Sequence, residues 1–162
     1  MASVPVDFDI CQIFSARQVG SKVQLRKRLV SHTGGVFMLT VQQALSVAPL
    51  TQAKLVAGAE GLQRQINHIT IMEVPDLVRW LKGNDFIITS LYCIKDDPEA
   101  QTKLIHDIAR LGCAALAVKT NRYIRELPTE MIAAANEMSF PLIDIPQHVT
   151  YIDIINPLME QL

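Results

Sequence analysis

Three features of the sequence predict an α/β fold with a largely parallel sheet and flanking helices. Apolar runs of strand length recur at 53–58, 66–74, 85–90, 113–119 and 140–146. Helix-length stretches with start and stop signals separate the last three. "CAALAVK" (113–119) is apolar on both faces, as a central parallel strand is. Strand, helix, strand, helix, strand implies crossover units and hence parallel neighbours.

Taken in order, Thr40 is placed to cap a short helix running through Val47, and Pro49 ends it. "AKLVAG" (53–58) reads as a strand stopped by glycine, and "AGAEGL" as a turn whose two glycines suit positive φ. "INHITIMEV" (66–74) reads as one strand, with Ile66, His68, Thr70 and Met72 on one face and Asn67, Ile69, Ile71 and Glu73 on the other. Asp76 is placed to cap a short helix, "LVRWLK", ended by Gly83, with Trp80 at least partly buried against the sheet beside Leu77 and Leu81. "DFIITS" (85–90) reads as a buried strand. Asp97 and Pro98 open a long helix with an apolar stripe of Leu104, Ile105, Ile108 and Leu111, closed by Gly112. A helix over Pro128–Met138 leads to the strand "FPLIDIP" (140–146). Thr150 then caps a last helix, which Pro157 is expected to kink or divide.

The 162 residues are enough for one domain with a sizeable core, and 49% apolar with 19% charged residues is a globular composition. Residues 1–37 read as a leader or upstream extension. They end in the turn-rich "SHTGGVF", and Met38 opens a helix signal like a natural start. Arg17, Lys22, Arg26, Lys27 and Arg28 against Asp7 and Asp9 give that stretch +3; with a net charge of −1, the remainder carries −4. An acidic body is poorly suited to wrapping a polyanion, and the cluster "KVQLRKR" has no interleaved aromatics, so it reads as a solvated tail. No apolar run approaches the ~18–20 residues that span a bilayer, and no secretory signal leads the chain, so no membrane partner and a cytoplasmic location are expected. Three cysteines without metal spacing fit reduced thiols, with Cys113 a small buried hydrophobe.

Phosphate-binding loops, nucleophile elbows and zinc-protease motifs are absent, and the four histidines lie in different elements. No cofactor, metal or catalytic residue is therefore expected. Ligands of open α/β sheets bind beyond the carboxyl ends of the strands. Those ends supply a polar rim from which the candidate ligand-binding residues are Glu73, Asp76, Ser90, Lys119, Asn121, Arg122 and His148. Two readings of the Glu73–Asp76 joint stand: plain turn chemistry, with Asp76 a cap and Glu73 a solvated strand end, or part of a site.

The segments "MLTVQQALSV", "VAGAEGLQRQINHITIMEVPDLVRWLKGNDFIITS", "LAVKTNRYIRELPTEMIAAANEMSFPLIDIP" and "TYIDII" come in order, with "GLQR", "EVPD", "WLKG" and "FPLIDIP" the most specific pieces. Together they resemble the N-terminal, purine catabolism regulator-like domain of the PucR family of bacterial transcription regulators, over 38–162. The resemblance implies a non-catalytic regulatory domain that senses an unknown small molecule or forms a homodimer. It also implies that DNA is met only through a helix-turn-helix absent from this chain. The domain is also similar to the N-terminal module of HPr kinase, so a non-catalytic module of such an enzyme is the alternative. Leu91 stands where the family often has glycine, and Asn84 where it often has a second glycine.

Overall fold

The structure, a computed structural model, describes residues 38–162; the expectations for residues 1–37 fall outside them. Thr40 accepts from the Gln43 backbone while the Gln43 side chain accepts from the Thr40 amide, a reciprocal cap that starts α1 (Val41–Ala44). β1 (Leu39–Thr40) pairs antiparallel with β3 (Gln65–Ile66), holding α1 to the body. The main sheet contains β2 (Lys54–Ala57), β4 (His68–Ile71), β5 (Asp85–Thr89), β6 (Ala115–Lys119) and β7 (Leu142–Ile145) in the order β2-β7-β6-β5-β4. All neighbours are parallel except β2, which joins β7 antiparallel at one edge.

The period-2 alternation of these strands sends side chains into two cores. α2 (Pro98–Arg110) and α3 (Thr129–Glu137) cover one face, burying Ile105, Ile108, Met131 and Ala135 against Ile87, Leu116, Val118 and Leu142. α1 and α4 (Tyr151–Met159) cover the other, burying Val41, Ile154 and Leu158 against Phe86, Ile88, Ala117 and Ile143. β4 to β7 thus follow one another across the sheet, and α2 and α3 lie on the same face. The order never reverses, so no crevice arises from a topological switch.

The turn at 58–61 fixes β2 against the entry to β7. Gly58 adopts φ 72°, and a Cβ there would lie 2.0 Å from the Phe140 carbonyl oxygen; a Cβ on Gly61 would lie 2.1 Å from that of Ser139. The Arg64 guanidinium closes the same junction by donating to the carbonyls of Ser139 and Cys113 at 3.2 and 3.1 Å.

Several local expectations are corrected. The run 66–74 is not one strand: the amides of Asn67 and His68 both turn to the Asn84 carbonyl, which separates β3 from β4. Ile66 therefore shares a core with Ile69 rather than with Met72. Asp76 caps nothing. The segment Pro75–Trp80 is a 3₁₀ turn whose N-cap is Val74, with no side-chain cap bond. Its threefold period puts Val78 and Leu81 on the α2/α3 core and turns Trp80 outward, 69% exposed. Leu111 is exposed because it is already the C-cap residue of α2. α4 passes through Pro157 as one helix.

Candidate functional site

β4, β5 and β6 end side by side. The chain beyond them, together with the start of α4, encloses an open cleft of about 240 Å³ lined by Glu73, Ser90, Tyr92, Arg122, Tyr123 and Tyr151. Parallel pairing carries past the end of β4, because the Met72 amide donates to the Ile88 carbonyl at 2.9 Å. Glu73 consequently arrives opposite Ser90. Its Oε1 accepts from the Ser90 amide at 2.9 Å and from the Tyr151 hydroxyl at 2.8 Å, and its Oε2 accepts from the Ser90 hydroxyl at 2.6 Å. Three neutral donors hold one carboxylate, so it is a fixed acceptor at the floor of the cleft. Burial and the bond to Glu73 push the Tyr151 hydroxyl well above its ordinary pKa, so it stays protonated and donates.

Two residues in the left-handed conformation shape the rim. After β5, Leu91 takes the left-handed conformation at φ 56°; after β6, Asn121 does so at φ 62°. Each reverses the chain so that the next residue, Tyr92 or Arg122, lines the cleft. Leu91 is fully buried, and its amide donates to Thr89 Oγ1 at 3.0 Å. The buried Gln101 side chain on α2 then pins the 3₁₀ turn Tyr92–Ile94, donating to the carbonyls of Ile94 and Lys95 at 2.7 and 3.2 Å. The Asn121 amide donates to the Ile124 carbonyl at 2.7 Å, closing the second turn. The rings of Tyr92 and Tyr123 meet with centroids 4.6 Å apart at 59°. The Arg122 guanidinium lies 5.1 Å from the Tyr123 ring centre, and among the described residues it forms no ion pair. The cleft therefore offers a tethered carboxylate, a guanidinium without an ion-pair partner among the described residues, and three tyrosine rings.

Of the seven residues expected from sequence, Glu73, Ser90 and Arg122 line this cleft. Lys119 lies beside it without lining it: its Nζ donates to the Val149 carbonyl at 2.7 Å and sits 5.6 Å from the Tyr151 ring centre. Asn121 shapes the turn, and its Nδ2 contacts Thr120 Oγ1 at 3.3 Å. Asp76 faces solvent in a 3.8 Å pair with Arg79. His148 pairs with Gln52 at 3.0 Å, at the β2–β7 side of the sheet. Glu73 is no solvated strand end, which separates it from Asp76. Tyr92, Tyr123 and Tyr151 are not among those seven; yet the chain has three tyrosines, and all three line this cleft.

A second, apolar groove of about 150 Å³ runs between the 75–80 turn and α2, lined by Met72, Val74, Val78, Cys93 and Leu104 among others. Burial raises the Cys93 thiol pKa there. On the far side of the core, burial pushes the Cys113 thiol up to about 11, so it packs as an inert apolar group.

The profile of the PucR, purine catabolism regulatory protein-like, family matches residues 43–162. The chain belongs to that family. Its similarity to the purine catabolism regulatory protein of Bacillus subtilis (strain 168) is 35% identity over 73% of this chain and 22% of that protein. To the transcriptional activator PmfR of Paenarthrobacter nicotinovorans it is 28% over 63% and 23%. This PucR-family chain thus spans less than a quarter of the length of either relative. A looser likeness, with TM-score 0.47 and 16% identity over 75% of this chain and 45% of the other, is to the CBS and DRTGG domains of the regulatory region of Clostridium perfringens pyrophosphatase, complexed with diadenosine tetraphosphate as activator. That likeness is too distant to carry function. Among the described residues, no helix is long and apolar enough to cross a membrane.

Proposed function

We propose that this chain is the effector-sensing, non-catalytic domain of a bacterial transcription regulator, and that a small molecule binds in the cleft at the carboxyl ends of β4, β5 and β6. One observation supports this most: every tyrosine of the chain converges there with an uncompensated arginine and a tethered carboxylate. Relatives named as a purine catabolism regulatory protein and a transcriptional activator support the regulatory part. The test is a thermal-shift screen of purine breakdown products, amino acids and nucleotides against the chain. A ligand at 100 times its Kd adds roughly 2.7 kcal/mol of stability. Binding that survives both Arg122→Ala and Tyr123→Ala places the effector elsewhere. Hydrolysis or group transfer that is lost in Glu73→Gln overturns the non-catalytic reading.

Homodimerisation through α4 is a second reading. Its outer face leaves Ile152 and Met159 about half exposed, as is Leu162 just beyond it, while Ile154 and Leu158 are buried. An isologous contact between two such faces suits a regulator that meets symmetric DNA. Light scattering over a concentration series, on the wild type and on Ile152→Glu, decides it: a wild type that is strictly monomeric at high micromolar concentration removes the dimer.

A further inference from the structure

The cleft's chemistry narrows its ligand. We propose that it takes a small carboxylate that also carries an N–H donor, of amino- or amido-acid type, whose carboxylate pairs with Arg122 and whose N–H donates to Glu73. This rests on the sensing role proposed for the same cleft and names the class of molecule sensed.

The first observation is Arg122. Its guanidinium has no anionic partner among the described residues and is backed by the Tyr123 ring. A planar fork of donors in that setting matches a carboxylate in bidentate geometry. The second is the hydrogen-bond inventory of Glu73. A carboxylate has about four acceptor sites. Tyr151 and the Ser90 amide occupy Oε1, and the Ser90 hydroxyl occupies Oε2. Oε2 therefore retains acceptor capacity, and only a donor satisfies it.

Opposite charges in one cleft then act as a filter. A plain anion drawn to Arg122 meets repulsion from Glu73, and a plain cation drawn to Glu73 meets it from Arg122. A zwitterionic amino acid balances both, and an amido acid offsets the repulsion at Glu73 with the N–H it donates there. Size is the third constraint. About 240 Å³ lies below the roughly 300–1,000 Å³ of sites that enclose drug-sized ligands, which excludes a nucleotide as a fully enclosed occupant. Tyr92 and Tyr123, half exposed at the rim, leave aromatic faces for the ligand's apolar part.

The test is calorimetry and thermal shift on the full 162-residue chain with matched probes. These are L-amino acids and their N-acetyl derivatives, the corresponding acids lacking nitrogen, the corresponding amines lacking the carboxylate, and neutral purine bases. Binding is expected for one or more of the amino or N-acetylamino acids and not for either of their halves. Arg122→Gln is expected to weaken it roughly 10- to 100-fold, as loss of a charge-assisted contact does. Glu73→Gln is expected to admit the nitrogen-free acid, a change of preference that a merely destabilised fold does not produce; cooperative unfolding of both variants checks the fold. A neutral base or an amine that binds in a Tyr123-dependent way, unaffected by Arg122→Gln, overturns the ligand class while the sensing role stands. No binding by any of these probes overturns the ligand class; the sensing role falls as well only if the wider panel of purine breakdown products and nucleotides also fails to bind.

Discussion

At the scale of single residues, Leu91 carries two opposed effects. Its left-handed backbone costs a non-glycine residue roughly 1–2 kcal/mol, while its side chain is fully buried in the α2/α3 core. Truncating a buried leucine costs about 2–5 kcal/mol, so burial wins and explains why leucine is tolerated at a position suited to glycine. Leu91→Ala should therefore destabilise by about 3 kcal/mol, and Leu91→Gly by about 1 kcal/mol less, because glycine regains the backbone term. In an ordinary strand the order is reversed, so urea unfolding of the two variants tests the strain directly. Trp80 is the opposite case. With 69% of it exposed, Trp80→Ala should cost less than about 1 kcal/mol by the same measurement. A loss near 3 kcal/mol would show a buried ring. Its outward position is illegible in the sequence because nothing local distinguishes the 3₁₀ period this segment adopts from the α-helical one. Glu73 shows a similar gap: its place at a strand end was legible, but its three donors come from Ser90 and from Tyr151, 78 residues away.

At the scale of elements, α4 is tied to the cleft by its first residue. Thr150 and Asp153 cap it reciprocally, Lys119 holds the Val149 carbonyl, and the Tyr151 hydroxyl reaches Glu73. The Tyr151 link has a pH signature. Burial and the Glu73 bond raise the folded pKa above the ordinary 10.0, so its contribution is fully present below pH 10 and declines as pH rises toward the folded value. The stability difference between wild type and Tyr151→Phe should therefore shrink from pH 10 upward; a difference that is flat or grows contradicts the bond. Elements with strong local signals were legible: the Asp97–Pro98 start of α2, the Gly112 stop, and the alternating faces of the buried strands. The break between β3 and β4 was not, since it depends on Asn84 capturing two amides from outside the segment. Gly58 and Gly61 were legible as a turn, but Gly61 is needed for contact with Ser139 and Pro141 rather than for positive φ.

At the scale of the molecule, the largely parallel sheet was legible because apolar runs and helix signals alternate in strict order. The antiparallel β2 edge and the single winding were not, because pairing between 54–57 and 142–145 leaves no local trace. We propose that 38–162 is a self-sufficient domain, since both cores are built within it. Limited proteolysis should cut between Ser31 and Phe37 and leave a cooperatively folding fragment; unfolding on removal of 1–37 contradicts that boundary. The central claim is that the strand-end cleft is where an effector is sensed, and a crystal structure of the chain with its best thermal-shift ligand tests it most directly. The account expects the ligand between Arg122 and Glu73, against Tyr92 and Tyr123. A ligand seated instead in the apolar groove of Val74, Val78 and Leu104, with the cleft empty, contradicts it.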